Sequence, residues 1–404
     1  MKSNCFNRFG RALVAALLAG AAMPGFMPGA NAQFPLVFTN QPPHALPRRP
    51  CIILIVADGL GYGDLSCYGQ AKFQTPNLDA LAAEGVRFTN YYAGDATSSP
   101  ARAALLLGKD PEHLRQRADA DIPLASGEIT VAQLLKQSGY HTGLIGEWNL
   151  GGDGSSGAPW LKGFDEFAGY LDPTDATNYY AEYVWRCAPG ERLNPANNQR
   201  EDFVGREMLY PNTGGKKGQY IPDLLTKAAL NFVKNNQPDR FNRYRPFFLL
   251  LNYTIPAAGN GPVPTDAPFS DEPWPQPQKG KAAMISRLDG YVGQLREQLQ
   301  DPGLTNNVVI FFTSDTGPRK GGGVDPDFFH SVVASNSLRV PMIVQWPDKI
   351  PAGRVSGYAW TAADFLPTAA DIALTRATAN IDGRSILPTL LGQTQTNRHT
   401  FLGR

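Results

Sequence analysis

The hydrophobic pattern of this chain alternates between two kinds of run. "CIILIVADG" (51–59) is continuously apolar and closes on Asp58 and a glycine, as expected of a buried central strand whose C-terminal end carries a polar group. "TPNLDALAAEG" (75–85) follows with Thr75 as N-cap, Pro76 at the first helical position and Gly85 as the stop. "ITVAQLLKQSGY" predicts a helix ending at Gly139, and "HTGLIGE" the next strand. The amphipathic "PDLLTKAALNFVKNN" precedes the strand "PFFLLLNYT". The long helix "KAAMISRLDGYVGQLREQLQ" precedes "NVVIFFTSD", a second buried strand ending in an aspartate, Asp315. "VPMIVQW" reads as the last main strand. Helices set between strands without polar alternation predict an α/β fold with a parallel or mostly parallel sheet flanked by helices. Asp58 and Asp315 then fall just past strand C-termini, where open α/β sheets place their ligand sites. No internal repeat is visible.

The N-terminus follows a different logic. Lys2, Arg8 and Arg11 precede the apolar run Ala12–Met23, and Ala30-Asn31-Ala32 supplies small residues for a cleavage site. Residues 1–32 therefore read as a secretory signal peptide, too short for a membrane span, and the protein as secreted or periplasmic. The proline-rich residues 33–49 read as an extended leader. Removing the signal takes three positive charges from a formal +1 and leaves a balance of about −2. Nothing in that balance points to nucleic acid or an acidic membrane as partner. The mature chain keeps Cys51, Cys67 and Cys187, an odd number that predicts no disulfide framework.

The candidate chemistry starts at "DATSSPARAALLLGKD" (95–110), where Ser98-x-Pro100-x-Arg102 leads into an apolar, alanine-rich run. Alone, this is as much a serine-rich loop before a core helix as a nucleophile turn. It stands in an ordered series, however: "VADGLGYGDLSCYG", "TPNLDALAAEGVRFTNYYAG", "SSPARAALLLG", "GFDEFAGYL", "PFFLLLNYT", "MISRLDGYVGQL", "VVIFFTSDTGP", "RVPMIVQWP" and "DGRSILPTLLG". With these motifs the chain resembles the sulfatase family of the alkaline-phosphatase superfamily, from about Pro50 to about Gly392. The resemblance implies one catalytic-type domain over 50–392, with 393–404 a tail where sulfatases continue into a smaller C-terminal subdomain. It also implies that Ser98 holds the position oxidised to formylglycine, whose hydrated aldehyde attacks sulfur. Pro100 can start a helix whose first N–H groups face an anion, and Arg102 can fork onto sulfate oxygens.

The same resemblance exposes departures. The family holds a divalent cation, usually Ca2+, on adjacent aspartates after the first strand and an Asp-Asn or Asp-His pair after a later one. This chain has Asp58-Gly59 and Asp315-Thr316, leaving Asp58 and Asp315 as metal ligands, a thin cage for an ion that takes roughly six to eight oxygens. Where the family shows Gly-Lys-Trp-His-Leu-Gly, residues 146–151 read Gly-Glu-Trp-Asn-Leu-Gly, so an acid, Glu147, replaces a lysine and Asn149 a histidine. Pro256-Ala257 stands for a Pro-His pair, and ungapped counting puts His330 near a further lysine position.

Losing one charge-stabilising group typically costs about a hundredfold in rate. The expectation is a sulfuric-ester hydrolase by descent, with catalytic-type residues Ser98 and Arg102, little or no turnover, and a ligand-binding role. Its ligand would be a sulfated or other saccharide, with Ca2+ weak or lost and formylglycine at Ser98 only if that residue is modified. Two alternatives stay open: an active sulfatase using formylglycine at Ser98, with Glu147 or Asp64 as replacement metal ligand, or a phosphoester hydrolase using unmodified Ser98. "NYYAEYVWRC" (178–187) offers either saccharide-stacking surfaces or ordinary packing, and "GGKKG" (214–218) reads as a solvated turn.

Overall fold

Three of the apolar runs that read as buried strands lie side by side. In the computed structural model, β1 (Cys51–Asp58) pairs in parallel with β8 (Phe247–Pro256) on one side and β9 (Val308–Ser314) on the other. Every residue of these strands is buried, which is why their sequences carry no polar alternation. The structure describes residues 48–114, 122–196, 198–237, 245–257, 263–300, 304, 306–318 and 338–395. The expected signal peptide, most of the leader, the end of the tail and His330 lie outside the described residues.

β4 (His141–Glu147) and β5 (Glu166–Tyr170) extend the parallel block beyond β8. The hairpin of β6 (Tyr183–Asn194) and β7 (Gln199–Met208) continues it in antiparallel sense. On the other side, β10 (Met342–Gln345) is antiparallel to β9, followed by β2 (Val86–Phe88) and β11 (Arg354–Ser356). The ten-stranded order is β11-β2-β10-β9-β1-β8-β4-β5-β6-β7, and β3 (Tyr91–Tyr92) pairs separately with β12 (Trp360–Thr361). The expected mostly parallel sheet is thus present at the centre, with antiparallel strands on both flanks.

Two apolar layers cover the sheet. One face carries α1 (Pro76–Ala83), α6 (Ile221–Asn236) and α7 (Gln276–Gln298). The other carries α2 (Ser98–Leu107), α4 (Val131–Gln137) and α8 (Phe365–Ile372). Single turns α3 (Pro111–Leu114), α5 (Pro173–Ala176) and α9 (Leu387–Leu390) complete the helices. α4 is fixed by a reciprocal capping box between Thr130 and Gln133. Thr75 holds the expected N-cap position of α1 and its carbonyl accepts from Asp79 N–H at 2.9 Å, but its hydroxyl donates to Asp79 and exchanges a hydrogen bond with Ser66, so it makes no side-chain cap bond; Glu84, one residue before Gly85, ends that helix. Cys51, Cys67 and Cys187 form no disulfide with one another. No helix among the described residues is long and apolar enough to cross a membrane.

Candidate active site

Because β1 and β9 are parallel neighbours, Asp58 and Asp315 leave the sheet at the same end. Ala57 pairs with Ser314, and the Asp315 N–H donates to the Ala57 carbonyl at 3.0 Å. Gly59 then turns the chain at φ +70°, a conformation that favours glycine. Its N–H donates to Asp315 Oδ1 at 3.2 Å, and the Thr316 hydroxyl reaches the same oxygen at 3.3 Å.

α2 enters this end from the second layer. It begins at Ser98 rather than at Pro100, because Thr97 stands in extended conformation as N-cap. Asp95 Oδ1 holds Thr97 there, accepting from its N–H at 2.9 Å and its hydroxyl at 2.8 Å. Ser98 is thereby the first helical residue, 8 % exposed, and Arg102 follows one turn later on the same face.

Arg102 does not point free into a sulfate pocket. Its Nη1 lies 2.7 Å from Glu147 Oε1, its Nη2 donates to Glu147 Oε2 at 2.9 Å, and Nη2 also reaches Asp315 Oδ2 at 3.0 Å. All three side chains are at most 5 % exposed. Burial alone would lower the guanidinium pKa, but the charges of Glu147, Asp315 and Asp58 more than offset it and raise the pKa above its ordinary value. Arg102 is therefore a permanent cation held by a two-point carboxylate fork and a third oxygen. The fork expected to take sulfate takes Glu147 instead.

The surrounding residues lock this arrangement. Asn252 on β8 donates from Nδ2 to the Glu147 carbonyl at 3.0 Å, and buried Trp148 donates to the Gly157 carbonyl at 2.7 Å. Asn149, at φ +57°, donates to Ser99 Oγ at 2.6 Å and so ties the end of β4 to the start of α2. Asp64, a sequence candidate for a replacement metal ligand, is committed elsewhere: its Oδ2 accepts from Gly61 N–H at 2.8 Å and from Lys281 Nζ at 2.8 Å, fully buried. Lys281 carried no signal in the sequence, since it lies within a helical run and reads as an ordinary surface position.

This donor set does not match a calcium cage. Both oxygens of Asp315 and both of Glu147 already face N–H or O–H donors, chiefly the guanidinium. Among the described residues, no three His, Cys, Asp or Glu side chains come together as a metal-binding group. A cavity of about 360 Å³ lies between α6 and β5–β6, and its lining includes none of Asp58, Ser98, Arg102 and Asp315. The structure brings Arg102 and Asp315 into direct contact, and Asp58 close enough to act on Arg102 electrostatically.

Comparison with known proteins gives concordant matches. Residues 50–375 match the family model described as Sulfatase. N-acetylgalactosamine-6-sulfatase of Canis lupus familiaris is 32 % identical over 383 residues, covering 89 % of this chain and 69 % of that protein. The crystal structure of Ps i-CgsB in complex with k-i-k-neocarrahexaose superposes with TM-score 0.68 at 28 % identity, covering 85 % of this chain and 77 % of the other. A structure solved with its substrate D-glucosamine-2-N,6-O-disulfate shares the fold at TM-score 0.68 and 22 % identity, over 87 % of this chain and 82 % of that one.

Proposed function

The chain belongs to the sulfatase family, and from that premise we propose that it is a sulfuric-ester hydrolase by descent whose sulfate pocket is closed electrostatically. On this reading it turns over sulfate esters slowly or not at all and keeps a ligand-binding role outside the cell or in the periplasm. One observation carries the proposal: the Arg102 guanidinium is chelated by Glu147 and Asp315. Sulfate transfer needs positive charge preorganised around the oxygens that gain charge in the transition state. Among the described residues, the one cation Arg102 faces three carboxylates, Asp58, Glu147 and Asp315, so this cluster is net negative when all are ionised. An anion entering a poorly solvated site of that sign is repelled rather than held.

Ser98 is the proposed nucleophile position, competent only after conversion to formylglycine. Asp58 and Asp315 are the proposed remnants of the metal site, with calcium affinity weak or lost because the guanidinium takes Asp315 Oδ2 while Gly59 N–H and Thr316 O–H take Oδ1. The ligand class is proposed from the solved structures above, one in complex with k-i-k-neocarrahexaose and one, alike in fold, in complex with D-glucosamine-2-N,6-O-disulfate.

Hydrolysis of an activated aryl sulfate, measured alongside the intact mass of the Ser98 peptide, tests the reading. Expected are an unmodified serine mass or no turnover above background. An aldehyde mass at Ser98 together with hydrolysis lost in Ser98→Ala would establish an active sulfatase instead. Hydrolysis of a phosphoester by unmodified Ser98 would establish a phosphoester hydrolase.

A further inference from the structure

The β6–β7 ribbon presents different chemistry on its two faces. Alternate residues Tyr183, Trp185 and Cys187 share one face with their cross-strand partners Met208, Arg206 and Val204. On this face the Arg206 guanidinium lies over two rings at once, 4.4 Å from the Tyr183 centroid and 5.0 Å from that of Trp185. Trp160 extends the row, its ring 6.5 Å from Trp185 and inclined by 33°. The rings are half-buried, while Arg206 is exposed and Met208 and Val204 are more than two-fifths exposed.

Charge separates the two faces. On the opposite face Arg186 is neutralised by Glu191 and Glu207, each at 2.8 Å. Among the described residues no carboxylate forms an ion pair with Arg206, and the one acid bonded to this row, Asp175, is engaged by the Tyr183 hydroxyl at 2.9 Å. Stacking restricts the rotamers of Arg206 and leaves the guanidinium N–H donors directed at solvent.

We propose that this face binds an anionic saccharide, with Arg206 on a sulfate or carboxylate and the aromatic row against the sugar ring. Sugar rings combine an apolar C–H face with polar edges, which suits half-buried aromatic rings beside a planar donor fork. A second copy of the chain fits less well, since a two-fold contact centred here would set Arg206 against its own counterpart. The location favours an extended ligand. Trp185 pairs with Gly169, which pairs with Gly146, the residue before Glu147. Two strand spacings, about 10 Å, therefore separate the platform from the pocket, and Trp160 and Trp185 pack on the same layer as α2. The inference deepens the ligand-binding reading above and rests on it for the class of ligand.

The test is tryptophan fluorescence and calorimetric titration of the full chain with dextran sulfate, against unsulfated dextran. Arg206→Gln should weaken dextran sulfate binding by about tenfold, the worth of one charge-assisted contact. Lys217→Gln, removing an exposed cation from a different segment, should change it little. Equal binding by Arg206→Gln, or an equal loss in Lys217→Gln, overturns the platform. So does a dimer in sedimentation that Arg206→Gln dissolves. Failure of the inactive-pocket reading would appear separately, as aryl-sulfate hydrolysis dependent on Ser98 with the Arg206 effect unchanged.

Discussion

Arg102 and Glu147 form a two-point ion pair, with Nη1–Oε1 at 2.7 Å and Nη2–Oε2 at 2.9 Å, between a helix of one layer and the end of a central strand. An acid at position 147 thus does more than repel an anion. It consumes the guanidinium one helical turn from Ser98. Both groups are buried, so each depends on the other for its solvation.

The pair should be structurally coupled. Removing Arg102 alone, as Arg102→Met, leaves Glu147 and Asp315 buried without their cation and should cost about 3–5 kcal/mol. The single change Glu147→Lys should also destabilise, because it sets two buried cations side by side. In a double-mutant cycle with Arg102→Ala and Glu147→Ala, urea unfolding should give a coupling of about 2–3 kcal/mol. Additive losses would show that the two groups do not act as a unit.

Metal should matter little to this protein. The oxygens of Asp315 are shared among Gly59 N–H, Thr316 O–H and Arg102, so a divalent ion would have to displace the guanidinium. At about 1 mM calcium, stability should rise by less than about 1 kcal/mol over that in chelator. Calorimetry revealing a tight single calcium site, abolished by Asp315→Ala, would contradict this.

Alkaline pH should weaken the start of β4. Burial opposes the charge on His141, but its hydrogen bonds to Asp165 and Glu166 prevail and push its pKa from 6.5 up to about 9. Nε2 lies 2.6 Å from Glu166, Nδ1 3.3 Å from Asp165, and the ring stacks on Phe232. A raised folded-state pKa contributes stability that is fully present below about pH 6.5 and lost as pH rises through about 9. The loss is up to about 3 kcal/mol. His141→Gln should flatten that limb of the stability profile; an unchanged limb would assign it to other groups.

The central architecture was legible because burial on both faces leaves a simple mark. β1, β8 and β9 read as uninterrupted apolar runs, and their parallel pairing puts Asp58 and Asp315 at one end. The β6–β7 hairpin escaped because most of its outer half is exposed on both faces, so no alternation survives. The start of α2 was misplaced by two residues, since the Asp95–Thr97 contact fixes it rather than Pro100. Charge reversal at Glu147 was visible, but its partner was not. The motif points Arg102 at sulfate because a motif specifies residue types, and only the fold decides which acid a buried guanidinium meets. The Asp64–Lys281 pair is likewise a product of packing between distant segments.

Catalysis should be recoverable only by restoring the pocket as a set. Glu147→Lys alone breaks the Arg102 pair, whereas adding Gly59→Asp returns a carboxylate to the same region. The φ of +70° at Gly59 strains any side chain, but aspartate tolerates that region better than most, and a Cβ there would lie 3.8 Å from Ala257 Cα, an ordinary contact. Asn149, at φ +57°, can pass to histidine on the same grounds. The combined variant Gly59→Asp, Glu147→Lys, Asn149→His, Ala257→His and Thr316→Asn, made in a host that converts Ser98 to formylglycine, should hydrolyse an aryl sulfate in the presence of calcium. Each single reversion should show almost nothing, because groups that act as a unit fail as a unit. The parent, matured identically, should stay at background, since each missing charge-stabilising group typically costs about a hundredfold or more. If the parent itself hydrolyses a sulfate ester and Ser98→Ala abolishes it, the Arg102–Glu147 pair must open in the working protein, and the closed pocket is a resting state rather than the end of the chemistry.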